Sequence, residues 1–92
     1  MGKRTQKQID HEGVDRFAIA MKTKLDRKRL EGRRGWNDHT VCSTQDLAAM
    51  LVEHVIKGDP VDIANFCMML HMRGCGLEIK AAAERDLGVE EE

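Results

Sequence analysis

Aromatic residues and proline are scarce in this chain of 92 residues. Phe17, Trp36 and Phe66 make up 3% of the sequence, tyrosine is missing and there is one proline. A core made from this sequence must therefore be aliphatic, and six methionines are available to fill it. Because alanine is common and charged residues reach 34%, the composition favours helices over a sheet.

Other missing features exclude several classes of protein. No apolar stretch is long enough to span a bilayer, so no membrane association is expected. The three cysteines form no CxxC motif and no signal peptide precedes them, so we expect free thiols in the cytoplasm. There is no P-loop, no GxGxxG motif and no zinc ribbon. With a formal net charge of −1, the chain as a whole is not expected to bind a polyanion.

The chain is long enough for one domain only. We divide it into a flexible N-terminus (residues 1–10), a single helical domain (11–87) and an acidic tail (88–92). A chain of this length buries only about 60–65% of its unfolded surface, which leaves a monomer marginally stable. We therefore expect a homodimer or a higher symmetric oligomer.

Capping signals predict three main helices and a short fourth. Ser43 is a good N-cap for a second helix that ends at Gly58. Asp59 and Pro60 are typical of the first positions of a third helix. Only two residues then separate the second and third helices, which predicts a tight antiparallel hairpin. The predicted helices cover about residues 12–31, 44–57, 60–73 and 77–87.

Apolar residues at helical spacing predict which face of each helix is buried. The predicted stripes are Val14, Phe17, Ala18, Met21 and Leu25 in the first helix, Leu47, Met50, Leu51, Val55 and Ile56 in the second, and Ile63, Phe66, Cys67 and Leu70 in the third. Cys67 is interpreted as a small core residue, because a zinc site made of Cys67, His71 and Cys75 would lack a fourth ligand.

Positive charge is concentrated in residues 22–34, the basic segment. This segment is interpreted either as a solvated helix face or as a strip that contacts phosphate groups. Arg33 and Arg34 follow the helix stop at Gly32, so they are the preferred phosphate contacts. Lys24 and Lys28 are predicted to lie on the helix face away from Phe17 and to matter little.

Two stretches carry a family resemblance. Residues 17–36, FAIAMKTKLDRKRLEGRRGW, combine a helix with a Gly–Trp turn, and residues 62–70 read DIANFCMML. Over about residues 14–73 the chain resembles phage-type MazG-like nucleotide pyrophosphohydrolases. The resemblance implies an all-α, oligomeric fold. It also implies a site in which four carboxylates, an ExxE and an ExxD, hold Mg²⁺ for the release of pyrophosphate from nucleoside triphosphates.

The chain departs from this pattern at the carboxylates. Glu53 and Asp62 match, and Asp59 is a shorter substitute for Glu, but Ile56 or Lys57 replaces the remaining acid. A lysine there would repel a cation. We therefore expect no cofactor, and Mg²⁺ bound by Glu53, Asp59 and Asp62 only if the protein is an enzyme. Asp59 and Asp62 are otherwise interpreted as helix-capping residues.

The leading hypothesis is a phage or prophage accessory protein with a catalytically degenerate MazG-like scaffold, located in the host cytoplasm. It would bind or sequester a nucleotide or nucleotide-like ligand, with a counter-defence role by analogy. No residue is assigned a catalytic role. The candidate ligand-binding residues are Arg33, Arg34, Trp36, His54 and Asn65.

Each of these pocket residues also has a structural interpretation. Trp36 is interpreted as a packed lid or as a platform for a base, His54 as part of a solvated helix face, and Asn65 as a buried hydrogen-bonding residue. Two alternative functions stay open: an active Mg²⁺-dependent pyrophosphohydrolase, and a small protein- or nucleic-acid-binding adaptor. Nucleic acid is not favoured, because the third helix carries only Arg73 as a cation for a DNA groove.

Overall fold

The computed structural model describes residues 2–75 and 77–88. Within them the chain forms four α helices and no strand, which confirms the all-α prediction. The helices are α1 (Gln6–Leu30), α2 (Thr44–Lys57), α3 (Pro60–Met72) and α4 (Leu77–Asp86). The predicted acidic tail lies largely outside the described residues.

The capping predictions for α2 and α3 are confirmed. The Ser43 hydroxyl accepts a hydrogen bond from the Asp46 N–H at 3.0 Å, and Gly58 ends α2 in the left-handed region with φ of 85°. One Asp59 carboxylate oxygen accepts from the Val61 N–H at 2.9 Å, and Pro60 occupies the first turn of α3.

The predicted start of α1 is wrong by six residues. Thr5 and Gln8 form a capping box, in which the Thr5 hydroxyl accepts from the Gln8 N–H at 3.1 Å and the Gln8 side chain accepts from the Thr5 N–H at 2.8 Å. The helix therefore begins at Gln6, and residues 6–10 extend it toward the N-terminus.

The helices pack in the order α1, α3, α2, α4, because α3 contacts both α1 and α2 while α2 contacts both α3 and α4. Because α3 and α4 pack on different sides of α2, the buried face of α2 is wider than the single apolar stripe that was predicted. The buried core consists of Leu47, Ala48, Leu51 and Val52 from α2, Met69 and Leu70 from α3, and Ala82 from α4.

In α2 and α3, three residues that were predicted to be buried are exposed. Val55 and Ile56 lie in the last turns of α2 and are exposed, because α4 covers the face that carries Ala48 and Val52 instead. Cys67 is exposed on α3, where the buried positions are Asn65, Met69 and Leu70.

The N-terminal half of α1 has no partner helix among the described residues. Val14 is 68% exposed and Phe17 is 37% exposed, although both belong to the predicted apolar stripe, whereas Leu25 packs against the core. None of the four helices combines the length and the hydropathy that crossing a bilayer requires, within the part of the chain that the structure describes.

Candidate functional site

A cleft of about 510 Å³ lies between the C-terminal half of α1, the loop of residues 31–43, α2 and α3. Its volume is within the range of about 300–1,000 Å³ that is usual for small-molecule sites. The structure brings all five predicted ligand-binding residues to this cleft: Arg33, Arg34, Trp36, His54 and Asn65 line it. Glu53 and Asp62 also line it.

Arg73 connects the loop of residues 31–43 to the end of α3. Its guanidinium donates to the Cys42 carbonyl oxygen at 2.6 Å and to the Thr44 hydroxyl at 3.4 Å. Within the loop, the Asp38 carbonyl oxygen accepts from the Val41 and Cys42 N–H groups. Trp36 belongs to the same loop and is half-buried against the core, at the wall of the cleft.

Gly35 precedes Trp36 and is required by the fold of the loop. Its φ is 92°, and a Cβ atom built there would overlap the Val41 side chain, which itself lines the cleft. Any residue other than glycine would therefore meet both backbone strain and a steric clash.

The basic side chains of the cleft differ in how they are paired. Lys28 lies 3.6 Å from a Glu31 carboxylate oxygen, and Lys57 lies 3.6 Å from a Glu53 carboxylate oxygen. The guanidinium groups of Arg33 and Arg34 are exposed and have no ion-pair partner within residues 2–75 and 77–88. These two groups are therefore available to an anion.

Lys24 is the cleft residue that the sequence interpretation placed wrongly. Its ammonium lies 3.1 Å from an Asp59 carboxylate oxygen and 3.3 Å from an Asp62 carboxylate oxygen, and its side chain is 17% exposed. Helical periodicity contained the signal: Lys24 follows Phe17 by seven residues and Met21 by three, so it shares their face. Lys28 also lines the cleft and does not lie on a remote face.

Electrostatics couples Lys24 to the cap of α3. The hydrogen bond from Lys24 lowers the pKa of Asp59, and the Val61 N–H lowers it further. The same hydrogen bond to Asp59 raises the pKa of Lys24. Asp59 thus caps the helix with one oxygen and holds the ammonium with the other.

The three candidate metal ligands do not fit Mg²⁺ as they are placed. Asp59 and Asp62 share the Lys24 ammonium, and Glu53 is 63% exposed and paired with Lys57. Within the described residues, no three His, Cys, Asp or Glu side chains converge closely enough to hold a metal ion. Mg²⁺ needs several oxygen ligands in a near-octahedral arrangement, and here an amino group already occupies the carboxylate pair.

Asn65 is the one buried polar residue among the described residues, at 5% exposure. Its side-chain N–H donates to the Met21 carbonyl oxygen at 3.2 Å, which connects α3 to α1 and fixes the orientation of the amide. Within the described residues, two buried side-chain atoms have no hydrogen-bond partner, the amide oxygen Oδ1 of Asn65 and Nε of Arg73.

His54 packs on Phe66 across α2 and α3. The ring centroids are 4.7 Å apart with an interplanar angle of 47°. The His54 Nδ1 atom lies 2.7 Å from the Met50 carbonyl oxygen. Met50 and Phe66 line the cleft too, and sequence reasoning had assigned both to the apolar stripes without recognising them as pocket residues.

Comparison of the chain with protein-family models, with curated proteins and with solved structures finds no match. The resemblance to MazG-like pyrophosphohydrolases therefore stays a hypothesis.

Proposed function

We propose that the protein binds a nucleotide or a nucleotide-like ligand in this cleft without a divalent metal ion. The observation that carries the proposal is the lining of the cleft, which combines the unpaired cations Arg33 and Arg34 with aromatic surface from Trp36 and Phe66. A ligand with both a flat apolar ring and an anionic group would suit these two parts of the lining.

The lining of the cleft divides into polar and apolar parts that suit such a ligand. Arginine guanidinium groups form charge-assisted, often bidentate hydrogen bonds with phosphate oxygens. Trp36 and Phe66 supply aromatic surface against which a base can lie. We favour an arrangement in which the phosphates of the ligand contact Arg33 and Arg34 and its base lies toward α3.

Lys24 supports binding over hydrolysis. In a metal-dependent pyrophosphohydrolase, the carboxylates of the site must hold Mg²⁺, but here Asp59 and Asp62 hold an ammonium. This favours a degenerate MazG-like scaffold, with α2 and α3 as its antiparallel hairpin. On this proposal the protein is a phage or prophage accessory factor that sequesters its ligand, and counter-defence is the role that follows by analogy.

The adaptor hypothesis is weaker. Arg73, the cation that α3 could offer to a DNA groove, is already hydrogen-bonded to Cys42 and Thr44. The exposed Val14 and Phe17 instead support self-association. We propose that the protein forms a homodimer or higher symmetric oligomer through α1.

The test is a panel of nucleoside triphosphates measured for binding by calorimetry and for hydrolysis by pyrophosphate release, with Mg²⁺ and with a chelator. We expect binding in both conditions and no turnover. Turnover that needs Mg²⁺ would select the enzyme, and the absence of both binding and turnover would select the adaptor.

Replacing Arg33 and Arg34 together by Gln tests the assigned phosphate contacts. Loss of two charge-assisted hydrogen bonds should weaken binding by about tenfold or more, and wild-type binding should weaken as salt rises. Lys22 and Arg27 are the matched control, because they are exposed cations of α1 that do not line the cleft. Equal losses in both double variants would indicate diffuse attraction and would contradict a site.

A further inference from the structure

Asp62 offers the cleft a free hydrogen-bond acceptor. It lies in the first turn of α3 and lines the cleft, and its side chain is 19% exposed. One carboxylate oxygen, Oδ1, lies 3.3 Å from the Lys24 ammonium, whereas Oδ2 has no hydrogen-bond partner within residues 2–75 and 77–88. The side-chain atoms that are buried there without a partner belong to Asn65 and Arg73, so Oδ2 is in contact with solvent.

Lys24 offers a donor beside this acceptor. A lysine ammonium has three N–H groups, and the carboxylate oxygens that this one contacts are those of Asp59 at 3.1 Å and Asp62 at 3.3 Å. One N–H group therefore remains for a ligand, and Lys24 lines the cleft as Asp62 does. Because one ammonium stands against two carboxylates, the three side chains together carry an excess of negative charge.

A hydroxyl group matches this pair of residues. It can donate a hydrogen bond to Asp62 Oδ2 and accept one from Lys24 at the same time. An ionised phosphate oxygen can only accept, and the excess negative charge repels it. The cations that suit phosphates, Arg33 and Arg34, lie on a different element, the loop after α1. The Lys24–Asp62 pair therefore suits a neutral, hydroxyl-bearing part of the ligand.

The position of Asp62 relative to Phe66 fits the two rings of a nucleoside. The two residues are four apart in α3, so they share a helix face with Cβ atoms about 5–6 Å apart, and both line the cleft. The bond from the Asn65 amide to the Met21 carbonyl oxygen holds α1 against α3 next to the Lys24–Asp62 pair. A base on the Phe66 ring would thus have its attached ribose beside Asp62.

We propose that Lys24 and Asp62 bind the ribose hydroxyls of the nucleotide, so that the cleft prefers ribonucleotides to nucleotides whose sugar lacks these hydroxyls. The proposal rests on the nucleotide-binding function proposed above. Hydrogen bonds to charged groups contribute more than those between neutral groups, and a site built to bind a hydroxyl discriminates strongly against an analogue that lacks it.

The test compares ATP with 2′,3′-dideoxyATP, which lacks both hydroxyls and keeps the base and the phosphates. Calorimetry on the full chain, with a chelator that excludes metal ions, should show the dideoxy nucleotide binding about tenfold or more weakly than ATP. The two singly deoxygenated nucleotides, 2′-deoxyATP and 3′-deoxyATP, then identify which hydroxyl contributes.

The Asp62→Ala variant tests the assigned residue. It removes the free acceptor, so ATP should lose most of its advantage over 2′,3′-dideoxyATP, while the dideoxy nucleotide binds no more weakly than to wild type. Asp46→Ala is the matched control, because Asp46 occupies the same position in α2 but is exposed and outside the cleft. Melting curves check folding. If Asp62→Ala does not fold, Asp62→Asn keeps the size of the side chain and should reduce the preference for ATP.

The outcomes separate the two proposals. Equal affinities of wild type for ATP and 2′,3′-dideoxyATP, or tighter binding of the dideoxy nucleotide, would overturn ribose recognition and leave the nucleotide-binding function in place. A preference for ATP that is unchanged in a folded Asp62 variant would overturn the role of the Lys24–Asp62 pair. If wild type binds neither nucleotide, both proposals are wrong.

Discussion

Lys24 changes what Asp59 and Asp62 can bind. Asp59 and Asp62 are the residues in which the sequence most resembles a Mg²⁺ site, yet both lie within hydrogen-bonding distance of one ammonium group. A lysine attached to α1 is a permanent part of the fold, unlike a metal ion that exchanges with solvent. A metal ion would therefore have to compete with this ammonium for the two carboxylates.

The Lys24→Met variant tests this interpretation. It removes the ammonium and keeps an unbranched side chain, so two carboxylates are left facing each other without a cation. We expect a lower melting temperature than wild type, and partial recovery when Mn²⁺ or Mg²⁺ is added. Lys22→Met is the control, because Lys22 is exposed on the same helix. Unchanged melting of Lys24→Met, with no response to either metal, would contradict the role of Lys24.

The pairing of Asp59 predicts a pH dependence of stability. Its pKa is lowered below the ordinary value of 3.8 in the folded state, so its contribution is complete above that value and is lost as the pH falls through the folded pKa. The pKa of Lys24 is raised above 10.5 in the folded state. At high pH the Lys24–Asp59 ion pair is therefore lost only as the pH rises through that raised pKa.

Comparing wild type with Asp59→Asn checks that window. Asn keeps the N-cap hydrogen bond but removes the charge, so the variant should melt below wild type at neutral pH and approach it below about pH 3.8. Asp15→Asn, an exposed carboxylate on α1, should melt like wild type at neutral pH. A stability difference that persists unchanged to pH 2.5 would show that charge pairing does not cause it.

At the level of elements, the capping residues predicted the ends of the helices better than the apolar periodicity predicted which residues are buried. Ser43, Gly58 and the Asp59–Pro60 pair act through their own backbone, so the ends of α2 and α3 could be read from the sequence. The Thr5–Gln8 box that begins α1 is a signal of the same kind, but residues 2–10 contain one large apolar residue, Ile9, so no apolar stripe accompanies the box.

Burial on α2 could not be predicted from periodicity alone. Val52 and Val55 are equivalent in hydropathy, and their burial depends on where α4 packs, which is set by non-local contacts.

In the candidate site, too, contacts between residues far apart in sequence were harder to predict than local features. The five predicted ligand residues do meet at one cleft, whereas the Lys24 pairing joins residues 35 positions apart. Composition contains no trace of that pairing, and only the shared face of Lys24, Phe17 and Met21 pointed toward it.

In the loop of residues 31–43, the backbone of Gly35 lies close to the Val41 side chain, and a substitution at Gly35 tests this contact. Gly35→Ala should cost about 1–2 kcal/mol for the left-handed backbone and about 1–3 kcal/mol more for the overlap with Val41. Gly32→Ala is the matched control, because Gly32 has the same φ of 92° with open space around it. Urea denaturation should show the larger loss for Gly35→Ala; equal losses would mean that the loop adapts freely around Val41.

At the scale of the whole molecule, α1 is the helix that packs least against the rest of the described chain. It spans Gln6–Leu30, about 37 Å at 1.5 Å per residue. Among the helices that the structure describes it contacts only α3, and none of its residues is fully buried. Val14 and Phe17 lie three residues apart, on one face of its exposed half. A second copy of the chain could cover both residues, and it would add to the small core that a chain of this length can build.

Replacing both Val14 and Phe17 by Glu should therefore produce a monomer. Charges placed on both sides of a self-complementary interface repel each other and cannot be desolvated cheaply, so dissociation should follow even though each monomer keeps its core of α2, α3 and α4 residues. Light scattering on wild type and variant at micromolar concentration measures the change in mass. Ile19→Glu is the matched control: Ile19 is 65% exposed on the same helix but two positions from Phe17, on another face. It should leave the mass unchanged. A wild-type protein that is already monomeric and stably folded at that concentration would contradict the oligomer, and equal dissociation by Ile19→Glu would place the interface elsewhere on α1.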